Sequence, residues 1–370
     1  MEQSKPYPPF SYTFSPNVPE LLMQLQASIV ISTYQTGKVV VLSPKGEEEL
    51  IQLPRSFDKP MGMAIKDHKL AIATRSEILV TANSPLVAKT YPDKPDTYDA
   101  MFVPRAQYFS GEVDIHDLEW ADDKLFAVNT LFSCLVVVDD NCSFRPKWKP
   151  HFISALAPED RCHLNGVAMQ ENKPMYVTAL GKSDEAKGWR ANMLKGGIVM
   201  DVQSNEIIAE NLPVPHTPKI YDGQLYLLLS ATGELVRLDV ATGKYDVVSS
   251  IQGFVRGMDR IGDYLFIAQS KIRQKSSIFN QVPVAKNAVW CGITIVHLPT
   301  GAHAGFIKYN ASVEELYDVK ILKGFLRPNI MNLQKGVHQK ALVLPQQLFW
   351  NNPEPVNSQS VQVPEPEVKI

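Results

Sequence analysis

The stretch KIYDGQLYLLLSATGELVRLDVATGKYDVVSSI, from Lys219 to Ile251, reads as one complete unit of four short strands. Its runs KIY, LYLLL, LVRLDV and YDVVSSI are rich in β-branched, aromatic and aliphatic residues. Between them stand Asp222, Gly223, Gly233 and Gly243, where tight turns need acidic residues and glycine. The opening of this unit recurs along the chain. It reads MGMAIKDHKLAIAT from Met61, HDLEWADDKLFAVN from His116, NGVAMQENKPMYVT from Asn165, HTPKIYDGQLYLLL from His216 and RGMDRIGDYLFIAQ from Arg256. Between the small or acidic residues Gly62, Asp117, Gly166, Thr217 and Gly257 the steps are 55, 49, 51 and 40 residues. A step of about 40 to 50 residues holding several short strands is the signature of propeller blades.

The two ends of the repeat imply how the ring closes. Before Met61 lie three strand-like runs, SIVISTY, KVVVLSP and ELIQLP, with no inner-strand phrase ahead of them. After the last full repeat, ELYDVKILKG stands alone with no blade behind it. Pairing that C-terminal strand with the N-terminal ones completes a blade and removes two open sheet edges. The fold class is therefore all-β: a six-bladed β-propeller over residues 28–323, closed by pairing of the C-terminal inner strand with the N-terminal strands. Residues 1–27 form an N-terminal extension with one helix-like turn near Pro19 to Gln26, and 324–350 a segment packed on the outside. The tail 351–370, NPEPVNSQSVQVPEPEVKI after Asn351, is too poor in bulky apolar residues to bury a core and reads as disordered.

Composition sets the class of partner. The chain has 370 residues, 45% hydrophobic and 21% charged, with a net charge of −2, which suits one large core and predicts no nucleic-acid partner. Cys134, Cys142, Cys162 and Cys291 lack metal-type or disulfide-framework spacing. No leader-like or membrane-spanning run occurs, so the expected location is the cytoplasm, with no membrane anchor.

In a propeller the innermost strands begin at one mouth of the axial channel. Counting nine residues back from Leu70, Leu125, Leu225 and Leu265 gives Met61, His116, His216 and Arg256, and alignment adds Asn165 and Tyr317. Two residues earlier, on the same face of an extended segment, stand Lys59, Asp114, His163, Val214, Phe254 and Glu315. His116, His163 and His216 entering from consecutive blades are candidate ligands for a divalent or transition metal. Without a metal, His216 reads as a general base with Arg256 as anion partner, Glu315 completing the catalytic set. The connections after the second strands add Thr33, Tyr34, Thr74, Arg75, Asn129, Thr130, Thr178, Ser230, Gln269 and Ser270. Two long loops, from Lys182 and from Ser270, add Trp189, Arg190, Lys271 and Arg273 as a lid for a small, anionic ligand. The expected ligand-binding residues are thus Arg75, Asn129, Asn165, Trp189, Arg190, Lys271 and Arg273. A thiol nucleophile at Cys162 is disfavoured, because its neighbour His163 points to the opposite face.

Several long phrases carry a resemblance: DIHDLEW, NTLFSCL, ISALAPEDRCHLNGVA, YVTALG followed by GWR, PHTPKIYDGQLYLL, GFVRGM, SKIR and VEELYDVKIL. With them, from about Ser28 to Pro328, the chain resembles a bacterial family of conserved hypothetical proteins known as a domain of unknown function. More remotely it is similar to six-bladed propellers of the gluconolactonase and strictosidine-synthase kind, which place a ligand or metal in the axial channel. Those lactonases use a Glu, Asn and Asp set, for which only Glu315 and Asn165 offer counterparts here. Two functions stay open: a small-molecule enzyme or ligand-binding protein with its site at the channel mouth, or a non-catalytic scaffold for a protein partner.

Overall fold

The computed structural model describes residues 7–272 and 281–351. Arg273 and the tail assigned to disorder beyond Asn351 lie outside the described residues. Six four-stranded blades form the ring. Blade 1 takes its inner strand, Asp318–Lys323, from the far end of the chain and continues outward with Ala27–Thr33, Lys38–Lys45 and Glu49–Ser56. Ile29 pairs with Ile321 and Ser32 with Asp318, so the ring is closed by the predicted joining of the termini. The inner strands of blades 2 to 6 are Met63–Lys66, Ile115–Ala121, Leu164–Gln170, Pro215–Tyr221 and Phe254–Ile261.

Apolar runs become strands here because both faces of a blade are covered. In Gln224–Leu229, Leu225, Leu227 and Leu229 pack against Ala168, Val199 and Leu212 of blade 4, while Tyr226 and Leu228 pack against Val255, Met258 and Ile267 of blade 6. Alternate side chains serve opposite neighbours, so from Leu225 to Leu229 the run carries no charged residue. Each of the six blade-to-blade interfaces holds its own apolar cluster.

The small or acidic residue that marks the repeat has a physical cause. Around the axis the position alternates: Gly62, Asp117, Gly166, Thr217, Gly257, Asp318. A Cβ on Gly62 would lie 2.8 Å from the His116 carbonyl oxygen, and one on Gly257 2.7 Å from Asp318 Cα. The polar members instead tie blades together. Asp117 accepts the Val167 N–H at 3.1 Å, Asp318 the Met63 N–H at 2.9 Å, and Thr217 the Gly257 N–H at 3.0 Å.

The ends of the chain cover two outer blade edges. Tyr12–Phe14 pairs antiparallel with the outer strand of blade 6, and Pro328–Ile330 pairs parallel with that of blade 2. A helix over Val18–Gln24 buries Val18, Leu21 and Leu22 between blades 6 and 1. A hairpin, Ala341–Val343 with Leu348–Trp350, lays Ala341 and Leu348 on Val87, Tyr98 and Met101.

Candidate functional site

At one mouth of the channel the structure gathers His116, His163, His216, Arg256 and Tyr317. The His116 ring centroid lies 4.8 Å from that of His163 and 5.6 Å from that of Tyr317. The Arg256 guanidinium sits 4.9 Å over Phe254 and 5.7 Å over Tyr317. Its Nε is buried with no hydrogen-bond partner among the described residues. Glu315 and Arg256 both act electrostatically on the Tyr34 hydroxyl, which burial pushes up from its ordinary pKa.

Two of the imidazoles are held by the same device. Asp114 and Val214 adopt positive φ, 51° and 60°. That turn brings their carbonyls to 3.0 Å from His116 Nδ1 and 3.3 Å from His216 Nδ1. Thr130 Oγ1 lies 2.7 Å from His116 Nδ1, and Ser230 Oγ 2.8 Å from His216 Nδ1, each fourteen residues along the chain. Both hydroxyls donate their own hydrogen to the next blade: Thr130 to Leu164 O at 2.5 Å, Ser230 to Val255 O at 2.5 Å. With hydroxyl and carbonyl both accepting, Nδ1 must carry the proton. His163 reaches the same state by another route, with Nδ1 2.9 and 3.1 Å from the two oxygens of Asp160. His116 and His216 therefore keep Nε2 as the nitrogen with a lone pair, while His163 is tied through Nδ1 to a carboxylate.

The charges follow from burial. Burial, then the neighbouring His163, depresses His116 to about 3. Burial, then the Arg256 charge, holds His216 well below the usual imidazole range. Both rings are neutral at pH 7. Burial would raise the Asp114 carboxyl, but the Lys59 ammonium at 2.7 Å holds it below its usual value.

Three residues deeper than His116, His216, Arg256 and Tyr317 lies an ionic layer that the sequence reading missed: Glu119, Lys219, Asp259 and Lys320. Lys219 of blade 5 crosses the axis to Glu119 and to Asp117, 3.6 Å away in blade 3, and Lys320 pairs with Asp318 at 3.2 Å. Burial pushes Asp117 up to about 6 against the pull of Lys219. Burial alone would lower Lys219 and Lys320, but the facing carboxylates raise both. The visible signal was a charge inside four of the six inner strands, in DLEW, PKIY, MDRI and VKIL.

Several predicted site residues are placed elsewhere or fully used. Asn165 spends its amide as a strut, donating to Pro215 O at 2.9 Å and accepting from Thr178 at 2.7 Å. Asn129 is buried; its Oδ1 accepts the Phe132 N–H, while its Nδ2 has no hydrogen-bond partner among the described residues. Thr130, Ser230 and Ser270 join blade to blade rather than facing a ligand. Arg75 is exposed and paired with Asp58 at 2.9 Å. Trp189 is 4% exposed and part of a core, with Arg190 stacked outside it at 5.3 Å. Lys271 is half-buried, its N–H bonded to Glu314 O. Alternation two residues back also fails where Lys59, Asp114, His163 and Val214 take positive φ instead of extended backbone. Among the described residues no group of three or more His, Cys, Asp or Glu side chains is placed to hold a metal ion. No helix among the described residues is long and apolar enough to cross a membrane.

A chain in a crystal structure of a nidogen/laminin complex is similar at 12% identity, over 80% of this chain and 99% of that one, with a TM-score of 0.49. No curated protein matches the chain. Residues 16–331, the whole propeller with its flanking helix, match the profile of a domain of unknown function, DUF4915, and the chain belongs to that family.

Proposed function

We propose that the channel mouth binds a small molecule carrying both an anionic group and hydroxyl or amine hydrogens, such as a hydroxy acid, a sugar acid or an amino acid. The observation that carries this reading is the common tie of His116 and His216: each is neutral and bonded through Nδ1, so each offers an Nε2 acceptor, beside His163 and a guanidinium whose Nε is buried with no hydrogen-bond partner among the described residues. The acceptors take the ligand's O–H or N–H donors and Arg256 takes its carboxylate. An anion there also offsets the Arg256 charge that depresses His216, so the ring becomes a better proton acceptor when the ligand is bound. Proton abstraction by His216, with Arg256 stabilising the anion formed, is the chemistry this set suits.

The test is a thermal-shift series of small hydroxy, sugar and amino acids with wild type, Arg256→Met and His216→Ala. A ligand that stabilises wild type should lose most of that effect in both variants. Equal stabilisation of all three proteins, or none by any acid, would remove the reading. A second reading, docking of a protein partner, is favoured by one feature: Leu342, Leu344 and Phe349 stand 48%, 46% and 41% exposed on the C-terminal hairpin. Leu342→Asp with Phe349→Asp should abolish such an association and leave ligand binding unchanged.

A further inference from the structure

Two long connections meet above the histidines. The segment 182–196, with a 3-10 turn over Gly188–Asn192, supplies Trp189 and Met193. The segment 281–290 supplies Val282, Val284 and Ala288. These pack with Leu180, Val214, Ala231 and Phe254 into one apolar cluster, and Val214 and Phe254 stand two residues before His216 and Arg256 in their blades. The cap is anchored to the ring by Arg161–Asp184 at 2.7 Å, by Lys187 N–H to Glu159 O at 3.0 Å and by Val284 N–H to Ala231 O at 3.0 Å.

One anchor differs from the rest because it also belongs to the site. Asp160 Oδ2 accepts the Trp189 indole N–H at 3.0 Å and lies 3.1 Å from His163 Nδ1, which is 2.9 Å from Oδ1. The His163 and Trp189 rings lie 4.5 Å apart. One carboxylate oxygen thus serves two N–H donors, one on the cap and one in the site. We propose that Asp160 is a positioning residue that couples cap to site, the two bonds competing for its charge.

This rests on the channel mouth being a ligand site. A ligand donor on His163 Nε2 withdraws electron density from the ring and makes Nδ1–H a stronger donor. The carboxylate is drawn toward His163, and its hold on Trp189 weakens. Engagement of the site would then loosen this polar tie between cap and site, while the apolar cluster and the anchors to the ring keep the cap in place. Because the coupling is reciprocal, loosening Trp189 must strengthen the His163 bond.

The experiment needs no ligand, so its failure is distinct from failure of the ligand reading. In protein selectively labelled with nitrogen-15 at His and Trp, the His163 Nδ1–H and Trp189 Nε1–H proton shifts are measured in wild type, Trp189→Phe and His163→Gln. Trp189→Phe keeps an aromatic in the apolar cluster and removes the competing donor, and the change of ring current on His163, 4.5 Å away, is the part of the shift that persists when Asp160 is replaced by Asn. The His163 Nδ1–H signal should then move downfield, and in His163→Gln the Trp189 signal should do the same. In Asp160→Asn, where no charge is shared, the effect of Trp189→Phe should shrink. Unchanged shifts in both single variants, or movement upfield, would overturn the coupling even if Asp160→Asn fails to fold.

Discussion

Replacing His116 by Gln should make the protein less sensitive to acid. The ring is neutral in the fold, depressed to about 3, whereas in the unfolded chain it titrates near its ordinary value of 6.5. Between those values the unfolded state binds more protons, so stability falls as pH drops from 6.5 toward 3 and this loss is absent above about 6.5. At about pH 5 the unfolded chain gains about 2 kcal/mol from this one group, an upper bound because the ring keeps some solvent contact. Glutamine keeps a donor for Thr130 and does not titrate. Urea unfolding at about pH 7.5 and pH 5 should therefore show wild type losing up to about 2 kcal/mol more than His116→Gln over that interval. An equal loss in the two proteins, or a larger one in the variant, would refute the neutral-imidazole account. His216 is depressed in the same direction, so the double variant should flatten the acid limb further.

Two other perturbations test the ties that position the site. Ser230→Ala removes the donor to Val255 O and the acceptor of His216 Nδ1–H, and should cost about 1–3 kcal/mol in denaturant unfolding; an unchanged midpoint would show that the hydroxyl holds neither. Lys219→Met strips Glu119 and Asp117 of their shared cation and should cost about 3–5 kcal/mol at pH 7. Part of that loss should be recovered on moving toward pH 5, where the stranded Asp117 carboxylate, already pushed up to about 6 by burial, takes up a proton, and a variant whose deficit grows with acid would contradict this.

The fold was legible because the blade leaves a periodic imprint. The step from Gly62 to Gly257 and the orphan phrase ELYDVKILKG sufficed to number the blades and close the ring. The inner-strand count also found His116, His216, Arg256 and Tyr317, since register along a strand is local information. Contacts between blades were not legible. Thr130, Ser230 and Ser270 look like ligand-facing hydroxyls in sequence, yet each is consumed by the carbonyl of the following blade. Only the equal spacing of His116 to Thr130 and His216 to Ser230 hinted at a shared device. Trp189 reads as a cover for solvent-borne ligand, but burial in the two-loop cluster depends on Val282 and Val284 nearly a hundred residues away. The ionic layer was hidden because Lys219 meets its carboxylates across the axis, about a hundred residues apart in sequence.

The most direct test of the account is the tautomer of its histidines. Nitrogen-15 spectra of the imidazoles near pH 7 should show His116, His163 and His216 with the proton on Nδ1; His116 should stay neutral on titration to about pH 5, and His216 should charge only well below the ordinary imidazole range. A proton on Nε2 of His116 or His216, or either ring charging near 6.5, would contradict the claim that the channel mouth presents free Nε2 acceptors beside Arg256.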